Sequence, residues 1–314
     1  MPKLTITGKE LGCSELPSIV ETNDGFTGYT SRNDVLKRHI DARIGGHVDN
    51  RLGDVNAKVR AGNYMEGPIG KMVLDKLNQI GKVSTEIPIE ADRNPLVPGL
   101  GSSPDLYLTV QDSIQFNDNF QVSHTLTGKG LIEIKNSTIP GYPTNVRIQV
   151  QGQMLCGNHS WCIVARLISG WDLQLYVEFP NRDVQDKITE AVDDFWNRVE
   201  TEDYYDPDSS SEASRLIKGS GNAEPVDFSG NNILPTLISE WKANEKMLKH
   251  SKQIKDDLEI HMKSILGSAE VGKCQNHEVR HTTVTYKPQP EKLVPAKEGY
   301  STRRFGIKEL SNEQ

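Results

Sequence analysis

Two short stretches carry residues that could do chemistry together: Ser102-Ser-Pro-Asp105 and Gly128-Lys-Gly-Leu-Ile-Glu-Ile-Lys-Asn136. Leu131 to Lys135 alternates branched apolar residues with two charged ones, the pattern of a short buried strand. Side chains alternate along a strand, so Glu133 and Lys135 project from one face. An acid and a base on one face of an apolar strand are costly unless they pair, bind a metal or react. With Asp105 alongside on a neighbouring strand, the set becomes Asp…Glu-x-Lys. Two carboxylates can hold Mg²⁺ through oxygen, and an ammonium can steer or activate a water. Such a set suits hydrolysis of a phosphodiester. A lone Asp or a lone Glu-x-Lys is common; the combination carries the weight. Gly128-Lys129-Gly130 is not a P-loop, because the GxxxxGK[ST] frame is absent.

Positioning these residues falls to a short series of predicted elements. A helix is expected over Asp34 to Ile44, capped by Ser31 or Asn33 and followed by Gly45-Gly46. Ala61 to Ile80 has Met65, Ile69, Met72, Val73 and Ile80 at helical spacing, with Gly81 as its stop. Glu66 and Pro68 then fall near its first turn, where a carboxylate is favoured and a missing N–H costs least. Strands are expected over Val83 to Glu90 and Asp105 to Val110, joined by a Pro/Gly-rich connection. Gln111 to Lys129 is polar and turn-rich, a candidate hairpin extension. Beyond a loop at Asn136 to Asn145, Val146 to Leu155 reads as a helix that places Gln149 and Gln153 on one face. Trp161 to Ile168 and Asp172 to Phe179 form a hairpin around Ser169-Gly170. An amphipathic helix, Val184 to Val199, closes a compact α/β core.

Residues 1–30 read as an N-terminal arm with few apolar anchors, and 31–200 as the core. The acidic, Ser/Gly-rich segment 201–230 reads as a flexible linker. Residues 231–314 read as a C-terminal helical arm with a terminal β-hairpin, Val279 to Tyr286 against Ser301 to Lys308. The arm's long charged helix, Ile233 to Leu266, is a candidate for oligomer or DNA contact.

Composition narrows the class. Hydrophobic residues make up 35% of the chain, and its mean hydropathy is −0.54. There is no apolar run near the roughly 20 residues that span a bilayer, and Met1-Pro-Lys-Leu-Thr-Ile-Thr lacks a signal-peptide core. The expectation is a cytoplasmic protein without a membrane partner. The net charge of −7 argues against indiscriminate nucleic-acid binding. It does not exclude a directed DNA track, because Arg32, Lys37, Arg38, Arg43, Arg51, Lys58 and Arg60 concentrate positive charge near the N-terminus. The cysteines, Cys13, Cys156, Cys162 and Cys274, form no CxxC pair, so free thiols are expected. An iron–sulfur cluster would need more than Cys274 near the C-terminus.

Taken together, Arg43-Ile-Gly-Gly46, Gly62-Asn-Tyr-Met-Glu66, Ser103-Pro-Asp105, Ile132-Glu-Ile-Lys135 and Gln149-Val-Gln151 through Met154 and Trp161 carry a resemblance. Over roughly residues 38–200 the chain resembles the YqaJ-type viral recombinase nucleases, relatives of phage lambda exonuclease in the PD-(D/E)xK superfamily. The resemblance implies a restriction-endonuclease-like core, a mixed central sheet flanked by helices. It implies that Asp105, Glu133 and the backbone carbonyl of Ile134 ligate Mg²⁺ or Mn²⁺, and that Lys135 orients and helps deprotonate the attacking water. Glu66 would help position a second metal or the water, and Gln149 would steady the site. Arg43 matches an arginine that reads the 5′-phosphate end, a task suited to a bidentate guanidinium. The implied activity is 5′-to-3′ exonuclease action on double-stranded DNA ends, making 3′ single strands for a RecT-like annealing partner, with a homo-oligomer around the DNA. The alternatives are a restriction-like or structure-specific endonuclease, and a non-catalytic DNA-binding or assembly protein.

Overall fold

The structure, a computed structural model, describes residues 9–45, 57–216, 227–275 and 277–281. The chain divides into two compact units, residues 1–210 and 211–314.

In the first unit, β1 (Leu11–Gly12) runs through a 3-10 turn at Cys13–Glu15 into α1 (Leu16–Ile19). This corrects the expected N-terminal arm: Leu11, Cys13, Leu16, Ile19 and Val20 are all buried. The anchors are few, but each faces inward. α2 (Arg32–Gly45) follows, with Ser31 as its cap, since Ser31 Oγ accepts from the Asp34 N–H at 3.2 Å. Asn33 instead exchanges hydrogen bonds of 3.1 and 2.9 Å with the backbone of Tyr205. Gly46 and His47, beside the Arg43 motif, lie outside the described residues.

α3 (Ala57–Leu77) starts about a turn before the predicted helix, so Glu66 and Pro68 sit inside it rather than in its first turn. Its opening residues lack apolar periodicity, which hid the start. Pro68 cannot donate to the Tyr64 carbonyl, but this face meets solvent, Tyr64 being 81% exposed, and water can satisfy the orphan.

β2 (Val83–Glu86) stops ahead of Pro88, which has no N–H for a ladder. The Pro/Gly-rich connection contains β3 (Asp92–Arg93) and β4 (Leu100–Ser102), which join β1 in a small sheet ordered β1-β4-β3. β5 (Leu106–Asn117) and β6 (Ser123–Ser137) form one long antiparallel hairpin, with a register break between Val110 and Ile114. The polar interval 111–129 is its outer half. Asp118 closes the turn by accepting from the N–H groups of Phe120 and Val122 at 2.9 and 3.1 Å.

α4 (Thr144–Gly157) then crosses to β7 (Cys162–Ile168), which pairs parallel with β6, and β8 (Asp172–Glu178) returns antiparallel. The central sheet is ordered β2-β5-β6-β7-β8 and is mixed. α5 (Arg182–Thr201) completes the unit.

α3 covers one sheet face, packing Ile69, Val73 and Leu77 against Leu106, Ile132 and Ile134. α4 covers the other with Val146, Val150 and Met154 against Tyr107, Leu131 and Val164. The far side of α4 is also buried, beneath α1, α2 and α5. Gly152 permits this contact, because a Cβ there would lie 2.2 Å from Leu16 Cδ1. The expected linker begins docked, since Tyr204 and Tyr205 pack on that third cluster. The guanidiniums of Arg32 and Arg198 stand over the Tyr205 ring at 4.7 and 4.3 Å. Two aromatic rings give this acidic stretch apolar area and cation–π contact that its charge count concealed. Residues 217–226 lie outside the described set.

α6 (Ser210–Leu216) straddles the boundary between the units. The second unit holds α7 (Leu234–Leu266), 33 residues with none buried, and a hairpin of β9 (Val271–Cys274) and β10 (His277–Arg280). Val279 and Arg280 pair with Gly272 and Val271, not with the segment at 301–308, which lies outside the described residues. Among the described residues no helix is long and apolar enough to cross a membrane. All four thiols are free, with Cys274 exposed and the others buried.

Candidate active site

The β5–β6 register sets the first two acids. Leu106 stands opposite Ile132, so Asp105, just before β5, falls opposite Glu133 on the same sheet face. The Asp105 carboxylate accepts the Ile134 N–H at 2.7 Å. A strand residue turns its N–H and C=O toward the same neighbour, so the Ile134 carbonyl also faces Asp105. The same register puts Pro104 opposite Ile134, and Pro104 has no N–H to donate. The Ser-Pro-Asp stretch thus supplies a carboxylate and leaves a main-chain carbonyl beside it out of the ladder.

Glu133 is 3% exposed and held from three sides. Lys135 Nζ donates to Oε1 at 2.6 Å and Gln149 Nε2 to the same oxygen at 2.7 Å. Gln153 Nε2 donates to Oε2, also at 2.7 Å. Gln149 and Gln153 reach it together because they are one helical turn apart on α4. Gln151, about 200° around the helix from each, points away and ties Glu178, the Phe179 carbonyl and the Asn181 N–H. Lys135 keeps 32% of its side chain exposed, while its ammonium is held against the buried Glu133 carboxylate.

Burial and the facing Glu133 push Asp105 well above the usual carboxylate range, against the pull of Lys135 and the Ile134 N–H. Glu66, from α3, adds to the push. α3 comes this close because Gly70 lies against Leu106 and Ile134, where a Cβ would meet Leu106 Cδ1 at 2.8 Å. Burial opposes the charge on Lys135, but Glu133 and Asp105 outweigh it and raise the ammonium's pKa. The site therefore holds more carboxylate than cation. Among the described residues no group of three or more His, Cys, Asp or Glu side chains is arranged to hold a metal. The donor set is smaller: Asp105, Glu133 and the Ile134 carbonyl. An all-oxygen set with an excess of negative charge fits a hard dication that keeps several waters.

Asp105, Glu133, Lys135 and Gln149 are brought together, with Glu66 in electrostatic reach. Arg43 is engaged elsewhere: its Nη1 donates to the carbonyls of Val199 and Glu200, each at 3.1 Å, at the C-terminus of α5. Two residues beyond the sequence-predicted set also belong to this neighbourhood. Gln153 was signalled by its spacing from Gln149. Arg166 stands beside Lys135 in the next strand and carried no local signal.

No family model matches the chain, and no curated protein matches it. Among solved structures, it is similar to the alkaline exonuclease LHK-Exo from Laribacter hongkongensis. That match is 20% identical and covers 62% of this chain and 89% of that one, with a TM-score of 0.43. LHK-Exo in complex with dAMP matches over the same shares at 18% identity and a TM-score of 0.46. A phage-related exonuclease from Haemophilus somnus 129PT matches at 13% identity, covering 62% of this chain and 96% of that one, with a TM-score of 0.36. The solved structures that this chain is similar to therefore include an alkaline exonuclease and a phage-related exonuclease.

Proposed function

We propose that the chain is a metal-dependent deoxyribonuclease with a PD-(D/E)xK-type site, acting on double-stranded DNA ends. The observation that carries this reading is the placement of Asp105, Glu133 and Lys135 on one sheet face, with Glu133 immobilised by Gln149 and Gln153. Asp105, Glu133 and the Ile134 carbonyl would hold Mg²⁺, with Mn²⁺ as a substitute. When bound, the ion would stabilise charge on the phosphate and acidify a water.

The remaining work falls to side chains of this chain. Gln149 and Gln153 hold the Glu133 carboxylate in one rotamer, so that its oxygens are aimed before substrate arrives. Lys135 holds its ammonium beside the Glu133 carboxylate, suited to orienting the water and to meeting negative charge that grows on the phosphate oxygens. Before a cation is bound, Glu133 and Asp105 favour its protonated form, which suits orienting the water. Glu66, on α3 and within electrostatic reach of Asp105, would help position the water or a second ion. Action from a 5′ end, 3′ single strands left for a RecT-like annealing partner, and assembly around DNA are the finer reading. These rest on the resemblance of the motifs, and in the case of the end on Arg43.

Digestion of end-labelled linear duplex, with and without 5′-phosphate, beside a covalently closed circle tests the proposal. In Mg²⁺ the linear DNA should shorten from its 5′-phosphorylated ends and the circle should survive. EDTA, Glu133→Ala and Lys135→Ala should each stop the reaction. Parent-like rates in both variants would overturn the site, and cutting of the circle would make the enzyme an endonuclease.

A further inference from the structure

β6 and β7 run parallel, so both end at the same edge of the sheet. Ligands of open α/β sheets sit beyond the carboxyl ends of such strands. The turns that follow the two strands are tied together there, the Ser169 N–H donating to the Ser137 carbonyl at 2.8 Å. Arg166 stands at this edge. It pairs in register with Lys135, so its side chain leaves the sheet on the face that carries Glu133 and Lys135.

The charge of Arg166 has no match within hydrogen-bond reach. The residue is 5% exposed. Its Nη2 donates to Ser137 Oγ and to the Ile139 carbonyl, each at 3.0 Å, and both acceptors are neutral. Nε and Nη1 are buried with no hydrogen-bond partner among the described residues. Burial works against the charge and lowers the pKa. A buried guanidinium is costly unless an anion meets it. Packing does not ask for one here, since Val164, two residues earlier on the same face, fills its place in the apolar cluster under α4. The cover over Arg166 is a surface turn in which Thr138, Ile139 and Pro140 are exposed. An anion that displaces one of that turn's oxygens replaces a neutral acceptor with a charged one.

Position identifies the anion. Arg166 lies one strand over and two residues along from Glu133, which puts their Cα atoms about 8 Å apart at ordinary strand spacings. The Lys135 side chain turns back to Glu133, whereas that of Arg166 runs on toward Ser137. An anion held by Arg166 is therefore not the one held at Asp105 and Glu133. On a polymer of phosphates it is the next. We infer that Arg166 binds a backbone phosphate of the cleaved DNA strand, one removed from the phosphate that is hydrolysed. The inference rests on the nuclease reading for the identity of its ligand.

Binding of a short linear duplex in Ca²⁺, followed by fluorescence anisotropy across a salt series, tests it whether or not Mg²⁺ supports cleavage. Arg166→Gln should weaken binding on the order of tenfold and make the slope of log K against log salt shallower by about 0.9, the share of one phosphate contact. Arg166→Met fills similar volume without a polar group, guards against a folding defect in Arg166→Gln, and should give the same slope. Arg166→Lys keeps the charge and should keep the parent slope. A methylphosphonate moved along the cleaved strand removes one phosphate charge at a time. At one position the parent should lose what Arg166→Gln loses, and Arg166→Gln should lose nothing more. Parent slopes in Arg166→Gln and Arg166→Met overturn the inference and leave Arg166 as a tie for the turn. So do methylphosphonate losses that add to that of Arg166→Gln at every position, or a parent without affinity for the duplex. Binding as expected with no cutting in Mg²⁺ overturns the nuclease reading and leaves Arg166 its phosphate.

Discussion

Gln153→Leu isolates one side of the clamp on Glu133. The Gln153 amide is 1% exposed and gives Glu133 Oε2 a 2.7 Å hydrogen bond, while Oε1 is shared between Lys135 and Gln149. A hydrogen bond to a charged group contributes about 1.5–3 kcal/mol. If the whole of it bears on the reacting geometry, at about 1.4 kcal/mol per factor of ten the rate falls roughly 10- to 150-fold. Loss of an outer-shell partner of a metal ligand costs about 10- to 100-fold, which agrees. Leucine nearly matches glutamine in volume and removes an amide whose Oε1 has no protein partner. The fold should therefore lose no more than about 1 kcal/mol, a few degrees in Tm. Gln149→Leu should cost less, about 3- to 10-fold, because Oε1 keeps its stronger charged donor. The assay is the initial rate on end-labelled linear duplex in Mg²⁺, with thermal unfolding of each variant alongside. Parent-like cleavage by Gln153→Leu, or a larger loss in Gln149→Leu than in Gln153→Leu, would refute the reasoning.

Two further expectations concern the scaffold. Arg43→Ala removes a guanidinium from two carbonyls at the negative end of α5, and should lower stability by about 1 kcal/mol in urea unfolding; an unchanged midpoint would leave Arg43 without that role. Burial would raise the Glu15 carboxyl, but the His39 hydrogen bond and charge, Arg38 and the Gly12 N–H outweigh it and lower its pKa below 4.5. A folded pKa below the unfolded one means that the contribution is present above the unfolded value and is lost as pH falls through the folded one. Glu15→Gln should therefore cost most near pH 6 and progressively less below about pH 4.5, near the unfolded carboxyl value; a urea-midpoint difference that stays constant with pH would refute this.

Much of the site follows from local periodicity. A strand's alternation places Glu133 and Lys135 on one face, and a helix's turn aligns Gln149 with Gln153, whatever the rest of the chain does. Those relations involve residues two and four apart, and short-range geometry settles them. The partnership of Asp105 with Glu133 is different, because it depends on the register of a hairpin whose strands run 12 and 15 residues. The same holds for the start of α3, which moved Glu66 and Pro68 out of the first turn, and for the docking of Tyr205 on Asn33.

By itself the sequence determined which residue types could cooperate and on which faces they lie, including the two glutamines that hold Glu133. Only the tertiary structure decided that Leu11 to Val20 belongs to the core. It alone decided that Arg43 reaches carbonyls of residues 156 and 157 positions along the chain, and that Arg166 stands beside Lys135. The physical reason is that covalent geometry repeats over a few residues and leaves a readable period. Which distant segments meet is set by the joint burial of several apolar faces, to which each contributes only a part.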